Sequence, residues 1–356
     1  MKKLPEKMKA VKAHNPGDYR LDTVDRPVAR NEEIIIRVKA CGICAGDLKA
    51  YKGGDMFWEG TAMSSPVTPG HEFFGEVVEI GKGAGKKFNI EIGDWVTAEQ
   101  IIPCGECKYC KEGNYWMCVE SNIYGFQKDV AEGGMSEYMR IPSNSKVFKI
   151  PKTLTVEEGA IIEPLSCAIH AVQRADIQFD DTVVLSGVGP LGLCMLQLIK
   201  LKNPSKIIVL DLDEGRLELS KELGADVCLN PSEENVVEII KEMTDGYGAD
   251  TYIEAVGVPK SVRQGLDILR NLGTFVEFGL FMEETSANWS TIGDGKELDI
   301  KGVHLSAGTY PIAIELLEKK LIDADKIVSE TYDLSDFNEA FKAAASLDTI
   351  KVLLKP

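Results

Sequence analysis

The chain has 356 residues, which at roughly 150 per domain favours two domains. Its 44% hydrophobic and 27% charged content excludes disorder, collagen and coiled coil as overall descriptions. Lys and Arg number 40 against 56 Asp and Glu, and the resulting charge of −16 repels phosphate backbones and anionic lipid, so neither nucleic acid nor a membrane surface is an expected partner.

Residues 1–7 are charged but lead into no apolar stretch of secretory type, so a cytoplasmic protein with reduced thiols is expected. Asn15-Pro16-Gly17-Asp18 predicts an early hairpin turn, and Ile34-Ile35-Ile36-Arg37-Val38 and Gly75 to Ile80 predict strands. This strand-and-turn texture runs to about residue 150 and then changes. Thr182 to Leu185 predicts a buried strand, followed by an apolar helix through Ile199 and a strand at Lys206 to Leu210. A helix near Arg216 to Leu223 comes next, then strands near Thr251 to Ile253 and Thr274 to Val276. Residues 182–199 carry no charge, but Gly187, Gly189, Pro190 and Gly192 make them strand, turn and helix rather than a membrane span. Alternation of this kind is the signature of a doubly wound parallel sheet in an α/β protein. The tail predicts helices at Pro311 to Lys320 and Leu334 to Ala345 and a strand at Lys351 to Leu354. The expected division is 1–158, 159–300 and 301–356, with the third segment returning to the first domain.

Gly187-Val188-Gly189-Pro190-Leu191-Gly192 lies between a predicted strand and a predicted helix, the context in which Gly-x-Gly-x-x-Gly binds a dinucleotide. The first glycine makes the turn, the second admits the pyrophosphate, and the third lets helix and strand pack closely. Asp211, 19 residues past Gly192, is placed to accept hydrogen bonds from the adenosine ribose and to repel a 2′-phosphate, which favours NAD; Arg216 softens that preference.

Four of the nine cysteines, Cys104, Cys107, Cys110 and Cys118, fall within 15 residues in the spacing C-x2-C-x2-C-x7-C. Short loops can gather such thiolates around a structural Zn²⁺ with no open position. Two disulfides suit a reducing compartment poorly, while an iron–sulfur cluster shares the ligand spacing. A second, dispersed set comprises Cys44, His71 and Glu72 of Gly70-His71-Glu72, and Glu163 before Pro164. A thiolate, an imidazole and a carboxylate suit a zinc with an open position. His14, His170 and His304 have no ligand-like neighbours in sequence and are expected to be structural.

These motifs, with Gly133-Gly134-Met135-Ser136-Glu137-Tyr138 and Glu163-Pro164-Leu165, resemble the zinc-dependent medium-chain dehydrogenase/reductase family over nearly the whole chain. Glu163, where classical alcohol dehydrogenases carry a cysteine, is similar to the sorbitol and threonine dehydrogenase branch. Cys44-Ala45-Gly46-Asp47-Leu48-Lys49 and the segment Ser346 to Pro356 are most similar to erythritol/L-threitol-type polyol dehydrogenases.

The resemblance implies a Rossmann domain beside a β-rich GroES-like catalytic domain, two Zn²⁺ and NAD, and a homodimer or homotetramer. It implies Cys44 and His71 as catalytic zinc ligands, Glu72 and Glu163 as ligands or holders of the zinc-bound water, and Asp47 as the group orienting the His71 imidazole. The implied reaction is oxidation of a secondary alcohol of a C4–C6 polyol to a ketose. L-threonine, a polyol phosphate and a non-catalytic NAD-binding redox sensor are the alternatives. One departure stands out: Gly46 and Lys49 occupy positions where the family carries the Ser or Thr and the His of a proton relay. Phe57, Trp58 and Tyr51 are expected either to cover the substrate or to pack between domains.

Overall fold

The computed structural model describes residues 3–58 and 63–356. The chain divides into two compact units, residues 1–163 with 306–356, and residues 164–305.

The first unit is built on a seven-stranded sheet whose central member, Ile34–Gly42, is buried except at Arg37 and Lys39. Along one side it pairs antiparallel with Glu72–Ile80, from Ile34 opposite Ile80 to Gly42 opposite Glu72. On the other side its first half pairs with Tyr138–Ile141 and its end pairs with Lys351–Lys355, Leu353 standing opposite Gly42. That register sets Glu72 and the start of the C-terminal strand on either side of Gly42. Absence of a side chain there is required, because a Cβ on Gly42 would lie 2.1 Å from Glu72 Oε2. The sheet continues through Trp95–Ala98 to Val147–Ile150, and Val328–Asp333 joins the C-terminal strand in parallel. The hairpin at Pro16-Gly17 joins Lys7–Asn15 to Asp18–Asp25, as the turn residues predict. Val67, Phe73, Met135, Met139, Phe337 and Phe341 belong to the buried cluster of this unit.

The second unit is a six-stranded parallel sheet. Thr182–Ser186, Lys206–Leu210, Val227–Leu229, Ala249–Glu254, Leu269–Glu277 and Asp299–Gly302, numbered in chain order, lie as 3-2-1-4-5-6. This is the doubly wound order of dinucleotide-binding domains, whose strand direction of travel reverses beside the first strand. The glycine-rich turn leaves that strand and enters the helix Pro190–Lys202, whose Pro190 at the first position suits a helix start. Among the described residues no helix is long and apolar enough to cross a membrane.

Candidate active site and metal centres

The glycine turn has the geometry its spacing predicts. Gly187 has φ of +92°, and a Cβ on it would meet Val256 Cγ2 at 2.7 Å. A Cβ on Gly192 would lie 2.0 Å from the Gly187 carbonyl oxygen, so helix and turn touch through backbone alone. Around Gly189 nothing stands within 4 Å of where a Cβ would be, which leaves the backbone approachable at the helix N-terminus. Asp211 follows the second strand; its Oδ2 accepts from the Val188 N–H (2.8 Å) and its Oδ1 from the Asp213 N–H (3.0 Å). The carboxylate is thereby tied to the glycine turn itself. Arg216 lies in the first turn of the helix Glu214–Leu223, which Asp213 caps.

In the first unit, one ligand atom each of Cys44, His71 and Glu72 lies within 4.8 Å of the others. Cys44 caps the helix Ala45–Tyr51, with Asp47 Oδ2 accepting from the Cys44 N–H at 2.9 Å and the Gly46 N–H directed at Cys44 Sγ (3.4 Å). Capping therefore fixes the thiol at the strand-to-helix turn. His71 precedes the strand Glu72–Ile80, and its Nδ1 is buried without a hydrogen-bond partner, 3.9 Å from Asp47 Oδ1. Asp47 thus serves the cap through one oxygen and stands at ion-pair distance from His71 with the other. Burial on its own would lower the His71 pKa, but Asp47, the Cys44 thiol and Glu163 outweigh it and hold the imidazole well above its ordinary value. So anionic a setting calls for a cation, and a thiol, an imidazole and carboxylates are donors that zinc accepts.

Glu163 stands outside the Cys44–His71–Glu72 group but close enough to raise His71. Its Oε1 accepts from the Gln100 side-chain amide at 2.7 Å. Glu72, almost fully buried, receives Lys351 Nζ on both oxygens at 2.7 Å. Lys351 is itself 3% exposed and also donates to the Ile43 carbonyl. Burial opposes its charge, yet Glu72, Cys44 and Glu163 raise its pKa, so it is an ammonium. Sequence reasoning missed Lys351 and Gln100. The available signals were a lone charge at the head of an apolar strand and the polar pair Glu99-Gln100 interrupting an apolar run.

Gly46 leaves space beside the thiol, since a Cβ there would touch only Cys44 Sγ, at 3.8 Å. Phe57 stacks on Phe126, which packs against His71, whereas Tyr51 packs with Tyr19 and Phe341 and Trp58 donates to the Ala50 carbonyl. All three aromatics therefore have partners within the first unit, while residues 59–62 of the same loop lie outside the described residues.

Cys104, Cys107, Cys110 and Cys118 form a second group, with Sγ atoms within 4.8 Å of one another. None of the nine cysteines forms a disulfide. Backbone amides of Glu106 and Cys107 point at Cys104 Sγ (3.4 and 3.3 Å), and that of Cys104 points at Cys118 Sγ (3.3 Å). Amides of Cys110 and Val119 pull Cys107 down to about 6, while burial and its three neighbouring sulfurs push Cys110 up to about 12. Four thiols so placed cannot all ionise unless a cation joins them, and a tetrahedral thiolate metal fits. His14 bonds to Asp22 and His170 to the Leu305 carbonyl, and neither they nor His304 joins a metal-ligating group among the described residues.

Residues 30–152 match the alcohol dehydrogenase GroES-like domain and residues 190–319 the zinc-binding dehydrogenase domain. An erythritol/L-threitol dehydrogenase from Mycolicibacterium smegmatis is 43% identical, covering 99% of both chains. A sorbitol dehydrogenase from Halalkalibacterium halodurans is 34% identical over 96% of this chain and 97% of its own. Among solved structures, a zinc-binding dehydrogenase from Sinorhizobium meliloti bound to NADP superposes with a TM-score of 0.91 at 30% identity, covering 99% of this chain and all of that one. The chain belongs to the zinc-dependent medium-chain dehydrogenase/reductase family, an oxidoreductase family, as its motifs lead one to expect.

Proposed function

We propose that this dehydrogenase oxidises a secondary alcohol of a small polyol, of C4–C6 length and erythritol- or threitol-like, to a ketose with NAD. The observation that carries the reading is the convergence of Cys44, His71 and Glu72 in a pocket rich in negative charge; the 43% identity to an erythritol/L-threitol dehydrogenase supports the polyol class. Cys44 and His71 would hold the catalytic zinc. Lys351 engages both oxygens of Glu72, which suits Glu72 to charge balance and leaves Glu163 as the better third donor. The four-cysteine lobe would hold a second zinc. When bound, zinc supplies Lewis acidity that lowers the pKa of an alcohol by several units, and NAD supplies the hydride acceptor.

The chain's own residues do the positioning. The open backbone at Gly189 admits the pyrophosphate, and Asp211 receives the ribose hydroxyls and disfavours a 2′-phosphate, so NAD is preferred over NADP. Gly46 carries no hydroxyl to relay a proton, so the substrate proton leaves by a route other than the family's hydroxyl relay. The space next to Cys44 suits a neighbouring substrate hydroxyl, and Phe57, through Phe126, holds the face of His71. Nine cysteines with no disulfide among them suit a reducing, cytoplasmic setting. Assembly as a homodimer or homotetramer is supported by the outer edge of the six-stranded sheet, where Ile300 is exposed.

The test is NADH formation from a panel of C4 to C6 polyols and L-threonine, with NADP as competing cofactor and zinc quantified on the same sample. Turnover of one polyol class, faster with NAD, at two zincs per chain is expected. Turnover of L-threonine alone, or none with any alcohol, overturns the reading.

A further inference from the structure

The first unit contains a buried polar chain that begins at the four-cysteine lobe and ends at Glu163. Tyr115, three residues before Cys118, donates its hydroxyl to Glu99 Oε1 at 2.6 Å. Glu99 is fully buried, as is Ser306, whose hydroxyl faces Glu99 Oε2 at 3.4 Å and Gln100 Oε1 at 3.1 Å. Gln100, 1% exposed, then donates its amide to Glu163 Oε1 at 2.7 Å. The direction of the Gln100 amide is dictated by chemistry: an ionised carboxylate only accepts, so nitrogen must face Glu163 and oxygen must face the Ser306 hydroxyl. Glu163 and Ser306 are also the residues at which the chain leaves and re-enters this unit. From Glu99 to Glu163 the network is buried, and a buried polar network gains from being satisfied throughout and suffers if any member withdraws, so the loss of one member is felt by the next.

We propose that Gln100 is a positioning residue for Glu163, and that Ser306, Glu99 and Tyr115 extend its hold to the four-cysteine lobe, so that the order of the lobe sets how tightly the Cys44–His71 site keeps a divalent cation. This rests on the metal reading of that site given above. The lobe thereby acquires a function at a distance, with no ligand of its own in the pocket.

The experiment is zinc release from the full-length, zinc-loaded protein into excess chromogenic chelator. Two phases are expected, one of them missing in Cys44→Ser, which assigns it to the pocket. Gln100→Leu should quicken the pocket phase about tenfold, and Tyr115→Phe and Ser306→Ala about threefold each. The double variant Tyr115→Phe/Ser306→Ala should not exceed Gln100→Leu, because the two act through one chain. In the same variants kcat should fall while KM for NAD stays put. A purely structural part for Tyr115 would alter only the lobe phase and the melting temperature. Pocket-phase rates equal to wild type in both Tyr115→Phe and Ser306→Ala overturn the coupling, and they decide the matter even if Gln100→Leu does not fold. Two unchanged phases in Cys44→Ser overturn the metal reading, and the coupling with it.

Discussion

The two cysteine-bearing sites of the first unit are made in opposite ways. In the lobe, four thiols come from 15 consecutive residues, and the charge of one sulfur is controlled by neighbouring backbone amides. In the pocket, Cys44 is joined by the adjacent pair His71-Glu72 from a separate place in the chain, and charged side chains face the ligands: Asp47 stands beside His71 and Lys351 beside Glu72. The lobe offers four like donors that close a tetrahedron, whereas the pocket offers unlike donors with charged groups behind them. A site made by local sequence can hold a metal, but one made by the fold can also tune what the metal does.

The sharpest test of this contrast is a pair of substitutions. Cys44→Ser should lower alcohol oxidation by on the order of 10³-fold, since Lewis acidity contributes several kcal/mol, while leaving one zinc per chain and the melting temperature nearly unchanged. Cys107→Ser should do the reverse, with zinc lost from the lobe, a stability loss on the order of 3 kcal/mol and a smaller fall in activity. Equal losses of stability from both would abolish the distinction; calorimetry and metal analysis read it.

Lys351 sharpens the comparison further, because the lobe has no counterpart. Lys351→Met leaves the Glu72 carboxylate buried without its cation and should cost about 3–5 kcal/mol in chemical denaturation. Adding Glu72→Gln should recover much of that, since the uncompensated charge is then gone. Failure of the second change to help would mean that Lys351 acts by packing and not by charge.

The smallest effect concerns Glu99, which lies between the two sites. Burial raises its pKa above the ordinary 4.5, although bonds from Tyr115 and Ser306 favour the charged form. Below about pH 4.5 the side chain is neutral whether folded or unfolded, and Glu99→Gln should match the wild type. As the pH rises past that value the unfolded chain ionises first. The wild type should then lose stability relative to Glu99→Gln until the folded-state pKa is passed and the gap levels off. A gap that stays constant between pH 4 and 7 would show that solvent reaches Glu99.

How far these features could be read beforehand follows from their range along the chain. The glycine turn, Asp211 and the four-cysteine lobe are local, and their spacing carries their geometry. The hairpin at Pro16-Gly17 and the C-terminal strand itself were legible for the same kind of reason, in turn chemistry and in apolar pattern. The pairing of Lys351 with Glu72 was not. It depends on which residue of Ile34–Gly42 each neighbouring strand meets, and nothing in the sequence of either strand states that register. Gln100 was hidden similarly, since its partners Glu163 and Ser306 are 63 and 206 residues away. Asp47 shows the opposite limit, because motif resemblance points it at His71 while local geometry makes it first a helix cap.

Placement of Lys351 in the C-terminal strand has a consequence for the order in which the protein becomes functional. During synthesis the four cysteines of the lobe leave the ribosome roughly 230 residues ahead of Lys351, a lead of ten seconds or more at about 5–20 residues per second. The lobe can therefore capture its ion on the nascent chain. The pocket cannot balance Glu72 until Lys351 emerges, so any metal bound there is expected to load late in maturation, after the lobe has formed.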